Sequence, residues 1–149
     1  MSNESSVCLY VCGEQGRLNS AKLAIENIFS QYQGETFSLD IDSFVETDGN
    51  GVAASRDCLI GSMGLYNLYD LDILDGFAKE FKDLRWCVAA FYCNCGVVDF
   101  AASDYNSEDV NHFDSEMYNM DEEIINTVGE YGLAIMKEVD HGTIWWDEE

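Results

Sequence analysis

The hydrophobic pattern of this chain changes period several times, and each change marks an element. Ser6 to Cys12, SVCLYVC, is β-branched and aromatic and predicts a first strand, turned by Gly13-Glu14-Gln15-Gly16. From Arg17 the period lengthens. Leu18, Ala21, Ile25, Ile28, Phe29 and Tyr32 recur at three- and four-residue spacings and predict a helix that stops at Gly34. Thr36 to Val45 alternates, with Phe37, Leu39 and Ile41 on one side and Asp40 and Asp42 on the other, as in a half-exposed strand. Glu46 to Gly51 is a turn. Val52 to Tyr69, interrupted by Gly61 and Gly64, has no clear period and is expected to form short strands or irregular structure. Helical spacing returns from Asp70 to Leu84 through Leu71, Leu74, Phe77, Ala78 and Phe81, with Lys79, Lys82 and Arg85 placed to complement the helix dipole.

Trp86 to Ser103, WCVAAFYCNCGVVDFAAS, is the longest nearly uncharged run of the chain. Trp86, Val88, Ala90 and Tyr92 fall on one face, and Cys87, Ala89, Phe91 and Cys93 on the other. Both faces are apolar, as in a central strand covered on both sides. Asn94-Cys95-Gly96 supplies a turn and Val97 to Ala102 a second strand, which together read as a β-hairpin. Beyond it Asp114-Ser115 offers an N-cap, and Met117, Met120, Ile124, Val128, Tyr131 and Ile135 mark the buried stripe of a long helix. Gly142 to Trp146 could add an edge strand. The economical solution is a single α+β domain over residues 1–149: an antiparallel sheet with helices packed on one face, followed by an acidic C-terminal helical segment.

Charge changes the picture more than composition does. Of 149 residues, 29 are acidic and seven basic, giving −22 at pH 7, against a magnitude of about 2–8 that keeps a small domain soluble. With 47% apolar and 13% aromatic residues the chain can still build a core, so its acidity is not that of a disordered tail. Direct binding to nucleic acid or anionic lipid is disfavoured. No run approaches the length of a membrane span, and MSNESS lacks the basic and apolar regions of a signal peptide, so a cytoplasmic location is expected. In that setting Cys8, Cys12, Cys58, Cys87, Cys93 and Cys95 are expected to be reduced core thiols. A Cys₄ zinc site is the sharper alternative, but C-x₃-C and C-x-C are not the usual knuckle spacings, so neither metal nor cofactor is expected.

The array Asp99, Asp104, Glu108, Asp109, Asp114, Glu116, Asp121, Glu122 and Glu123 has no Lys or Arg among its members, and none follows until Lys137. Ordinary surfaces mix signs. Carboxylates three or four apart on a helix lie about 5–6 Å from one another, and duplex DNA carries one negative charge per about 1.7 Å of axis. An array of this kind can imitate a nucleic-acid backbone and occupy a basic groove, with Tyr105, Phe113 and Tyr118 as aromatic anchors. His112 is the one titratable base within the array. His112 and His141 lack a Ser or Cys nucleophile in a recognisable setting, so an enzyme is not expected.

Two resemblances accompany this reading. The run ILDGFAKEFKDLRWCVAAFYCNCGVVDFAA is similar to a ferredoxin-like family carried on plasmids and phages, in which an LxxLAxxFPDL helix leads into a hairpin containing Tyr and Gly. Leu74, Phe77, Ala78, Phe81 and Leu84 match that helix, and Tyr92 and Gly96 match the hairpin, over about a third of the chain. The Trp-rich middle segment of that family is missing. This resemblance implies a ferredoxin-like sheet. In acidity and layout the chain also resembles the DNA mimics of phages and plasmids, which implies an inhibitor of CRISPR or restriction machinery. The expected partner is then a basic nucleic-acid-binding protein or ribonucleoprotein complex. The alternatives are an immunity protein against a basic nuclease toxin and a domain whose acidity serves solubility alone.

Overall fold

A computed structural model of the protein describes residues 4–47, 50–92, 97–104, 107–116 and 135–136. Its elements are β1 (Glu4–Cys12), α1 (Gln15–Phe29), β2 (Gly34–Thr47), β3 (Ala53–Tyr66), a 3₁₀ turn (Asp72–Leu74) running into α2 (Asp75–Glu80), β4 (Arg85–Tyr92), β5 (Val97–Ser103) and β6 (Asn111–Glu116). The six strands form one sheet in the order β2-β3-β1-β4-β5-β6, antiparallel throughout.

The alternation within β1 dictates two cores. Val7, Leu9 and Val11 face a layer made by Leu18, Ala21, Ile25 and Phe29 of α1 and by Leu71, Leu74, Phe77 and Phe81 around α2, so both helices lie on one face. Trp86 packs edge-on against Phe77, with ring centroids 5.3 Å apart. On the other face Cys8, Tyr10 and Cys12 join Cys87, Ala89, Val98 and Phe100, and Ile135 and Met136 from the C-terminal region cover them. The apolar alternation of residues 86–92 therefore has the meaning expected of it. Each face of β4 belongs to a different core.

Four expectations are corrected. Residues 52–69 are not irregular. Ala53–Tyr66 is a continuous strand, and Gly61 is the reason its pattern is broken: a Cβ there would come within 2.7 Å of the Leu39 side chain and 2.9 Å of the Ser38 carbonyl oxygen. Asp114-Ser115 does not cap a helix, because Asn111–Glu116 pairs with β5 as an edge strand. The cysteines are not all thiols. Cys12 and Cys58 stand directly opposite one another on β1 and β3, with Cα atoms 4.5 Å apart, and form a disulfide. That spacing is the close, non-hydrogen-bonded type of antiparallel pair, which sits within the range a disulfide can bridge. Cys8 and Cys87 are buried and lie outside the disulfide, and burial pushes the Cys87 thiol up to about 12, far from a reactive thiolate. The predicted helix over 70–84 is also shorter than its apolar spacing suggests, since residues 81–84 form turns. Cys93 and Cys95, the rest of the long acidic helix and the final strand lie outside the described residues.

β2 and β3 are longer than the strands beside them. β1 pairs with β3 only from Cys58 to Tyr66, whereas β2 pairs with it back to Ala53. Residues 43–47 and 53–57 thus form a two-stranded ribbon that projects past β1, with the disulfide at its root.

Two stability outcomes follow from this packing. Trp86 is 1% exposed, and its indole N–H has no hydrogen-bond partner among the described residues. Trp86→Ala should cost about 3–5 kcal/mol in denaturant unfolding. Trp86→Phe should cost clearly less, because it keeps most of the ring and removes the orphaned donor. The Cys12→Ala/Cys58→Ala double variant should lose about 2–4 kcal/mol, as expected for opening a cross-link across 46 residues.

Candidate protein-binding surface

The few bases of this chain are not scattered. Arg17 lies at the start of α1, where its Nε donates to Asp83 Oδ2 at 2.9 Å and its second guanidinium nitrogen donates to Asp83 Oδ1 at 3.0 Å and to the Glu80 carbonyl at 3.1 Å. The guanidinium also rests 4.7 Å from the centre of the Phe81 ring. Its hydrogen bonds hold the Asp83 carboxyl below the usual carboxylate range. Arg85, opposite Cys12 on the ladder, meets Asp104 at 3.5 Å, and Lys82 meets Glu108 at 3.8 Å. Arg56 shares a small hollow with Gly13, Glu14 and Asp83, and Lys79 occupies the last turn of α2. Five of the six described bases thus gather where β1 ends and β4 begins. Lys22 on α1 is the sixth.

That gathering leaves the acids elsewhere unmixed. Glu4, Asp70 and Asp72 are exposed at the opposite end of the sheet, and Asp40 and Asp42 are exposed on β2. Asp42 accepts the Ser43 backbone N–H at 2.8 Å, and Ser43 donates its hydroxyl to Asp57 at 2.8 Å. The outward field is therefore close to single-signed over most of the described surface, and a field of this kind attracts cationic partners and speeds encounter with them.

The array expected after the hairpin divides. Asp104 and Glu108 face Arg85 and Lys82 of their own chain, so part of their charge is compensated internally. Asp109 is exposed, and its carbonyl accepts the Ser103 hydroxyl at 3.0 Å. Asp114 and Glu116 lie on β6, in register with Asp99 and Val97, and Phe113 pairs with Phe100. Tyr105, Tyr118, Asp121, Glu122 and Glu123 lie outside the described residues. Asp99 does not belong to an exposed array. It is 7% exposed and accepts the Tyr92 hydroxyl at 3.0 Å. His112 contacts Asp75 Oδ1 through Nε2 at 3.0 Å, which ties β6 to the first turn of α2. Among the described residues no group of three or more His, Cys, Asp or Glu is placed to hold a metal ion, and no helix is long and apolar enough to cross a membrane.

Sequence reasoning missed the position of Asp40 and Asp42. Their alternation with Leu39 and Ile41 was visible, but alternation does not say which strand ends the sheet, and β2 does.

No protein-family model matches the chain, and no curated protein does. Among solved structures, a phage SAM lyase in complex with S-methyl-5'-thioadenosine aligns over 78% of this chain and 93% of that chain, at 12% identity and a TM-score of 0.36. An overlap of that size transfers neither residues nor ligand.

The Arg17–Asp83 pair gives a pH signature with a definite sign. The folded carboxyl titrates below its unfolded value of about 3.9. Its contribution is fully present above that value and is lost as the pH falls through the folded pKa. Asp83→Asn should lower the melting temperature modestly at pH 7, since the pair is half-exposed and screened by solvent. The gap between variant and wild type should close in thermal melts near the acid limit.

Proposed function

We propose that this chain is an acidic inhibitor that binds the basic, nucleic-acid-binding surface of a bacterial defence complex, of the CRISPR or restriction kind. The observation that carries this reading is the segregation of charge. A net −22 is not diluted over the surface, because most of the described bases are gathered at one end and several are held there in ion pairs. Solubility needs far less charge and does not need the bases withdrawn from the rest of the surface. The element order strand, helix, strand, strand, helix, strand, with the first four strands arranged 4-1-3-2, supports a ferredoxin-like scaffold extended by a further hairpin. In this reading the carboxylates of Asp109, Asp114, Glu116, Asp121, Glu122 and Glu123 meet the Lys and Arg of the partner, and Phe113, Tyr105 and Tyr118 supply apolar anchors. The protein acts by occupying a groove and needs no catalysis, metal or cofactor.

The test is displacement of a fluorescent DNA duplex from purified CRISPR effector and restriction complexes by the full chain, at low and high salt. Inhibition that weakens steeply with salt is expected. Reversing Glu116, Asp121, Glu122 and Glu123 to Lys should weaken it by at least about tenfold, whereas reversing Asp104 and Glu108, which already face bases, should have the smaller effect. Unchanged inhibition by the fourfold variant would remove this surface from consideration. Recovery of a basic nuclease toxin as the salt-sensitive partner would favour an immunity protein instead.

A further inference from the structure

β2 ends the sheet, and among the described residues nothing pairs with its outer side. An edge strand presents alternate backbone N–H and C=O groups outward, and proteins ordinarily cover, shorten or twist such an edge. Here the strand is 14 residues long, and its register shift is confined to the start, between Thr36 and Ser38. From Ser38 onward the ladder to β3 is regular, and no described residue pairs with the outer side.

The two faces of this edge have opposite chemistry. On the helix side lie Leu39, half-buried Ile41, and Val45, which is 67% exposed although it is a large apolar residue. Beside them a groove of about 320 Å³ opens between α1 and the β2–β3 pair, lined by Ile25, Phe29, Tyr32, Leu39 and Met63, with Glu26 at its rim. On the opposite face Asp40 and Asp42 are exposed, and Phe44 beyond them is half-buried against the second core. Cross-strand neighbours on one face interact most, apolar with apolar and opposite charge with opposite charge. The strand that complements this edge therefore alternates apolar and basic residues.

We propose that the free edge of β2 from Ser38 to Val45 is a strand-addition site for an extended segment of a partner in which Lys or Arg alternates with apolar residues. Main-chain hydrogen bonds to β2 hold the segment. Its basic side chains meet Asp40 and Asp42, and its apolar side chains cover Leu39, Ile41 and Val45 and border the groove. A second copy of this chain is a poor occupant, since edge-to-edge pairing would bring the same carboxylates together in a protein already at −22. This site lies on a different strand from the carboxylates of β6 and beyond and does not depend on them.

The experiment is titration of the isotope-labelled full chain with a blocked peptide of alternating lysine and valine, followed by amide shifts and hydrogen exchange. Two control peptides are a block copolymer of the same composition and a version N-methylated on alternate amides. Shifts concentrated on residues 38–45, with slowed exchange of outward-facing β2 amides, are expected. N-methylation should weaken binding by about tenfold or more, and Asp40→Lys/Asp42→Lys by a similar factor. Reversal at Glu116, Asp121, Glu122 and Glu123 should leave the residue-specific shifts on β2 in place. Equal binding of the block copolymer, with shifts spread over the acidic surface, would overturn the proposal in favour of simple charge attraction. Concentration-dependent pairing of β2 with itself in the absence of peptide would overturn it in favour of a dimer.

Discussion

Val7, Leu9 and Val11 project from β1 toward the helices while Cys8, Tyr10 and Cys12 project the other way, and all six are buried. Neither face of the central strand can be left in water, so the sheet needs a cover on each side. The helices supply one and Ile135-Met136 belongs to the other. The width of the helix layer then sets where the margins open. A helix with its side chains is about 10 Å across and strands are about 4.8 Å apart, so two helices cover about four strands. This sheet has six. At the β2 margin the uncovered strip is apolar and becomes a groove beside α1. At the β5–β6 margin it is polar, with Asp99 held by Tyr92 and His112 held by Asp75.

Electrostatics is organised by the same frame. The end of the sheet where β1 stops and β4 starts also receives the start of α1 and the end of α2, so Arg17, Lys79, Lys82 and Arg85 meet there because of topology rather than sequence proximity. Arg17 and Asp83 are 66 residues apart in the chain yet form a two-pronged ion pair. Concentrating the bases in one place lets them offset nearby acids and leaves the remaining surface free to act at a distance. A lysine placed on β2 or at the far end would offset a neighbouring carboxylate and weaken that field locally.

The strands were legible in proportion to how completely their two faces differ in role. β1, β2, β4 and β5 stand out because alternation or double-sided burial left a clear mark, and the stripe Leu18, Ala21, Ile25 and Phe29 marks α1 as plainly. β3 was hidden by Gly61 and Gly64, the first of which lets β2 approach rather than breaking the strand. β6 was hidden for a different reason. Asn111 to Glu116, NHFDSE, is polar enough to read as a helix start, and only its pairing with a buried β5 makes it a strand. The Cys12–Cys58 pair could not be seen without knowing that β3 existed and where it fell in register. For the surface, the excess of acid was obvious, but its distribution was not: the compensation of Asp104 and Glu108, the burial of Asp99 and the edge position of Asp40 and Asp42 all depend on tertiary neighbours.

The central place of β1 also orders events during synthesis. The strand is made before its ladder partners, residues 58–66 and 85–92, and before the lid over its cysteine face, which contains residues 135 and 136. For most of translation the nascent chain carries an apolar ribbon whose partners have not been made. Such long-range pairing folds slowly and exposes the chain to aggregation. Like charges repel, so the net charge of −22 acts against association of unfinished copies during that interval.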